Sequence, residues 1–154
     1  MTIPTREQLA ESQMIQQTVE YWFADHEHVR SPLPFYIHVE VKEKAVAAFH
    51  DWMGKLNAKA NEEINEEIAH EKFEELLFQK AAELVKTDDE VLTIRFPFLP
   101  RCGDSIDGKG AEGREGENVI RSRQLIKEGK DEFLQVEVEN KASGKRWDTR
   151  FELP

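Results

Sequence analysis

Apolar residues recur at helical spacing through much of the first ninety positions and alternate with polar ones through most of the remainder. Leu9, Ile15, Val19, Trp22 and Phe23 lie on one stripe, and Thr5 followed by Gln8 forms a capping-box pair ahead of them, so a first helix is expected over about 6–23. The prolines between Asp25 and Pro34 cannot continue it. Phe35, Ile37, Val39 and Val41 alternate with Tyr36, His38 and Glu40, which predicts a short half-buried strand. A second helix is predicted over about 42–53, with Gly54 stopping it in the left-handed cap geometry that glycine takes without strain.

Asn61 is placed to cap a third helix running to about Lys86, with Glu62 and Glu63 in its electropositive first turn. Its apolar residues fall on two sides, Ile64 and Ile68 against Phe73, Leu77, Ala81 and Leu84. That split predicts either a bend near His70 or a second surface that meets Ile64 and Ile68. Four strands are then expected, centred on Leu92–Phe98, Ile120–Ile126, Leu134–Val138 and Trp147–Leu153. Short connections containing Gly129 and Gly144 join the last three as hairpins. The fold class that follows is α+β in a single domain, residues 1–154: three helices on one face of a four- or five-stranded antiparallel sheet whose meander is C-terminal. On the solvent face of that sheet Arg121 and Arg123 should neighbour Glu137 and Glu139, which should neighbour Arg146 and Arg150.

Charge sharpens this division. Residues 1–90 hold 9 Lys+Arg against 19 Asp+Glu, whereas residues 91–154 hold 12 of each, so the net charge of −10 belongs to the helical part. An acidic surface repels phosphate backbones, and no apolar run approaches the ~20 residues a bilayer span requires, so neither nucleic acid nor membrane is an expected partner. One cysteine forms no intrachain disulfide and no zinc spacing, and the polar N-terminal stretch has no signal-like core. A cytoplasmic location is the expectation.

The connection from Pro100 to Glu117 is the first place to look for chemistry, because connections of this length are commonly functional. Arg101, Cys102 and Asp104 open it, and Arg101 would favour a thiolate at Cys102. A nucleophilic cysteine also needs a base, and the chain's five histidines all precede this segment. Gly108, Gly110 and Gly113 match G-x-G-x-x-G, but a strand follows instead of a helix, so the match has no helix dipole for a pyrophosphate. His26 and His28 point the same way in an extended segment and His38 offers a third nitrogen. No metal is expected, and these three would be its ligands if there were one. Glu67 and His70 share a helical face, but a carboxylate-bridged dimetal site needs a second such pair and further glutamates on four facing helices.

No nucleophile, base and orienting group assemble from the sequence, which leaves open whether the chain is an enzyme. The expected function is a non-enzymatic protein-interaction or adaptor domain without a cofactor. Its contact residues, for a protein partner or for self-association, are Ile64 and Ile68 on the third helix and Phe98 and Leu99 at an edge that Pro97 keeps out of a ladder. The alternative is a small-molecule-binding or enzymatic domain with a pocket between sheet and helices, lined by inward-facing Ser122, Gln124 and Thr149 with His38 or Arg101 at its mouth.

Overall fold

A computed structural model describes residues 4–26, 30–56, 62–108 and 114–153. The fold class is α+β: among the described residues five α-helices of six residues or more precede a C-terminal four-stranded antiparallel sheet. The chain divides into two compact units, Met1–Pro97 and Phe98–Pro154.

The helical unit begins with two helices where one was expected. α1 (Arg6–Glu11) starts at the anticipated capping box of Thr5 and Gln8, and α2 spans Gln13–Phe23. Ser12 separates them in extended conformation (φ −64°, ψ 147°). Its hydroxyl donates to the Leu9 carbonyl at 2.7 Å, closing α1, and accepts from the Ile15 amide at 3.4 Å, opening α2. A serine satisfies both helix ends because one hydroxyl is donor and acceptor at once.

The strand expected over 35–41 is a correction. Phe35–Ile37 is a 3-10 turn that runs into α3 (His38–Gly54). Four-residue spacing overrides the apparent alternation: Ile37, Val41, Ala45 and Phe49 are all buried, while Phe35 and Val39 are 88% and 76% exposed. Gly54 is the last residue of α3, with Lys55 as its cap in right-handed geometry, so no left-handed stop occurs there.

The third expected helix is interrupted: Glu62 and Glu63 are helical, Ile64 and Asn65 are not, and a long helix starts after them. Asn61 lies outside the described residues, and the cap is Asn65, whose side chain accepts from the Ile68 amide at 2.9 Å. α4 (Glu66–Leu84) is one continuous helix burying Phe73, Leu76, Leu77 and Ala81. The strand expected over 92–98 is a second correction: α5 spans Asp88–Arg95, opened by a reciprocal capping box between Thr87 and Glu90. Tyr36 fastens the 3-10 turn to that cap. Its hydroxyl donates to Glu90 at 2.6 Å and accepts from the Lys86 amide at 3.3 Å. The unit's core includes Ile15, Val19, Trp22, Ile37, Val41 and Phe49 packed with Phe73 and Leu77.

In the second unit β1 (Ser105–Ile106), β2 (Asn118–Glu128), β3 (Asp131–Asn140) and β4 (Arg146–Glu152) pair in chain order, antiparallel throughout. Gly129 and Gly144 turn the two hairpins at φ 62° and 71°, where a side chain would strain the backbone. The register holds one surprise. Ile120 pairs with Val138 and Ser122 with Glu137, which leaves Arg121 as an extra residue in a bulge. The extra residue inverts the alternation beyond it. Arg123 and Leu125 then share the face of Val136 and Leu134, and Ser122 and Gln124 stand on the opposite, exposed face. The expected inward placing of Ser122 and Gln124 is thereby corrected, whereas Thr149, opposite Val136, keeps it.

Three arginines ladder across the outer face: Arg121 to Glu139 at 2.9 Å, Arg146 to Glu137, and Arg150 to Glu128 at 2.8 Å. Arg123 leaves that series and donates to the Pro100 carbonyl at 2.8 Å. At one end of the sheet Asn118 and Asn140 are fully buried, and the Asn140 amide donates to the Asn118 side-chain oxygen at 3.0 Å and to the Glu115 carbonyl at 2.9 Å. The Trp147 indole donates to the same Asn118 oxygen at 3.2 Å, with the Arg114 guanidinium 4.1 Å from its ring centre.

Candidate functional site

Two grooves flank α2. The first lies among α1, α2 and α3, a cavity of about 740 Å³ with an apolar floor of Ala10, Val19, Phe23, Val39, Val46 and Ala47. Arg6, Glu7, Lys42 and Glu43 form its charged rim. Helix geometry makes the floor: Ala10 belongs to α1, Val19 and Phe23 are one turn apart on α2, and Val39, Val46 and Ala47 belong to α3. His38 stands at its edge, its ring stacked on Phe23 at 4.0 Å and edge-on to Phe35 at 5.4 Å. The His38 Nε2 donates to the Leu33 carbonyl at 2.9 Å, so this histidine is held as a packed, hydrogen-bonded ring. Phe35, beside it, extends the apolar surface outward.

The second groove, about 630 Å³, lies between α2 and the start of α4. Tyr21, Trp22 and Met14 form its apolar part, and Glu66, Glu67, Glu74 and His70 its polar part. Glu74 accepts from the Trp22 indole at 3.1 Å and approaches His70 at 3.4 Å. The expected face shared by Glu67 and His70 exists, and its surroundings are an aromatic wall and a tryptophan-bound carboxylate.

The other candidates separate. His26 stacks on Tyr21 and donates its Nε2 hydrogen to the Tyr21 carbonyl at 2.8 Å, and His28 lies outside the described residues. Among the described residues no three histidine, cysteine or acidic side chains are grouped to hold a metal ion. Arg101, Cys102 and Asp104 form a tight turn hooked onto β2. The Asp104 carboxylate accepts from the Arg101 amide at 2.8 Å, and the Gly103 amide donates to the Ile120 carbonyl at 2.8 Å. Gly103 takes φ 93°, and Cys102 is exposed beside it. These hydrogen bonds close the backbone of the turn. Of the expected contact residues, Ile68 is 41% exposed on α4 and Phe98 73% exposed, while Ile64 and Leu99 are half-buried.

Two carboxylates are tuned by their hydrogen bonds. The Tyr36 hydroxyl, and after it the Thr87 and Lys86 donors, hold Glu90 below the usual carboxylate range, and the same contact raises Tyr36. Ser105, then Lys141, lower Glu117. These shifts stabilise a helix cap and a strand junction. No member of either pair lines a groove.

Sequence reasoning missed the first groove because the start of its α3 side, His38 and Val39, was read as a strand separate from the helix expected over 42–53. The signal was present: Ile37, Val41, Ala45 and Phe49 at four-residue intervals place Val39, Val46 and Ala47 on neighbouring faces of one helix. No described helix is long and apolar enough to cross a membrane. Comparison of the chain with protein-family models, with curated proteins and with solved structures finds no match.

Proposed function

We propose that this protein is a non-enzymatic interaction domain of the cytoplasm, and that it takes an amphipathic helix of a partner protein into the groove among α1, α2 and α3. The observation that carries the reading is that Val39 in that floor is 76% exposed and that Phe35, packed edge-on against the lining residue His38, is 88% exposed. Apolar surface gathered around a concave, charge-rimmed groove is the arrangement that receives the apolar face of a helix, whose anchors recur every three to four residues. Ile68 and Phe98 are further apolar contacts open to a partner.

The test uses a designed helical peptide with a leucine–alanine face and glutamine elsewhere. Backbone amide shifts of the full chain should move on titration at Ala10, Phe23, Val39, Val46 and Ala47. Val39→Glu, at an exposed position that folding does not need, should weaken binding at least about tenfold, the equivalent of removing roughly 1.4 kcal/mol of apolar contact. Shifts scattered over the surface, or affinity indifferent to Val39→Glu, would refute the assignment.

A further inference from the structure

Resting on that docking groove, we infer that the partner helix is basic: apolar on the face that enters the groove and carrying lysine or arginine along its flanks. The first ground is the charge of the unit that builds the groove. Residues 1–97 hold 10 Lys+Arg against 19 Asp+Glu, so any approaching partner meets a strongly negative field. The rim does not reverse that sign. Its two cations, Arg6 and Lys42, are matched by Glu7 and Glu43, and Arg6 lies 3.8 Å from a further carboxylate, Asp51.

The second ground is the groove on the other side of α2. It presents Glu66, Glu67 and Glu74 beside the rings of Tyr21 and Trp22, and among the described residues neither lysine nor arginine lines it. These carboxylates add to the negative field around α2 that an approaching basic partner would meet. The same field works against other occupants. A second copy would bring a like-charged helical unit against this one, and a nucleic-acid backbone or an anionic lipid surface would be repelled.

Three peptides with one leucine–alanine face and flanks of lysine, glutamine or glutamate decide the matter, with binding to the full chain measured by fluorescence anisotropy. The lysine peptide should bind about tenfold or more tighter than the glutamine peptide at ~50 mM salt, with the glutamate peptide weakest. That advantage should shrink markedly at ~500 mM salt, where screening is short-ranged. Glu43→Lys should weaken the lysine peptide and strengthen the glutamate one. If lysine and glutamine peptides bind alike while Val39→Glu still weakens both, the charge inference fails and the groove stands. If no peptide senses Val39→Glu, the groove itself falls. A concentration-dependent dimer abolished by Val39→Glu would assign the groove to a second copy and overturn the basic partner.

Discussion

Asn140 is the position whose replacement should reveal most about the sheet unit. Its side chain is 1% exposed, and its amide group donates to the Asn118 oxygen at 3.0 Å and to the Glu115 carbonyl at 2.9 Å. Its oxygen accepts from the amides of Ala142 and Ser143 at 3.1 and 2.8 Å, holding the β3–β4 turn. Asn140→Ala removes all of these and opens a small void. The turn amides belong to exposed residues, so water replaces much of what they lose, and Asn118 keeps the Trp147 indole. The net loss is then the buried hydrogen bonds, at about 1 kcal/mol each with a partner left undersatisfied, or about 2–4 kcal/mol in all. Asn140→Asp is more informative, because it preserves shape and the turn acceptor while turning a donor into a carboxylate oxygen facing two other oxygens. Burial and repulsion raise that carboxyl's pKa in the folded protein above its unfolded value, which disfavours the charged form. The variant's stability is therefore closest to wild type below the unfolded pKa of about 3.9 and falls away as pH rises through the higher folded value. Urea denaturation from pH 3 to 8 measures both effects. A loss below about 1 kcal/mol for Asn140→Ala, or an Asn140→Asp deficit that does not grow with pH, would show that the network does not hold this end of the sheet.

Other tests bear on the helical unit. Ser12→Ala removes a hydroxyl that serves two helix ends, and thermal unfolding should register a loss of about 1–2 kcal/mol, more than a single-ended cap gives. Glu90 is held below its ordinary carboxylate value by Tyr36, so its contribution is present above the unfolded pKa and disappears as pH falls through the lower folded one. The stability gap between wild type and Glu90→Gln, followed by chemical denaturation, should accordingly be widest near neutrality and narrow on acidification below about pH 4.5. Phe49→Ala, in the fully enclosed part of the helical core, should destabilise by about 3–5 kcal/mol, whereas Val39→Glu at its exposed position should change stability by less than about 0.5 kcal/mol.

The class of the fold was readable from two periodicities and from the glycines at 129 and 144, because hairpin chemistry and alternation act locally. Where local signals competed, the reading went astray. Thr87 and Glu90 form a capping box at the very spacing that marks a helix start, yet the alternation of Leu92, Ile94 and Phe96 suggested a strand. A short run can fit a period of two and a period of 3.6 equally well, and the capping pair was the better arbiter because it satisfies backbone groups that a strand would satisfy otherwise. The bulge at Arg121 is a different matter. Nothing in Ile120-Arg121-Ser122-Arg123 marks the extra residue, which arises from pairing Ile120 with Val138 and Leu125 with Leu134 on one buried face.

The same bulge takes Ser122 and Gln124 out of the inward positions in which they were expected to line a pocket. Past Arg121 both polar side chains turn to solvent, and the inner positions they would have occupied are held by Arg123 and Leu125. Arg123 is fixed there by the Pro100 carbonyl, next to the Arg101–Asp104 turn that was the other candidate for chemistry. The Arg123 guanidinium on this face thereby holds the backbone at Pro100. The helical unit shows the opposite economy. Thr5, Ser12, Asn65 and Thr87 cap the starts of α1, α2, α4 and α5, and the unit still leaves Phe35 and Val39 largely uncovered at the concave apolar groove. Side chains of that size left largely in water contribute little to this unit's own burial.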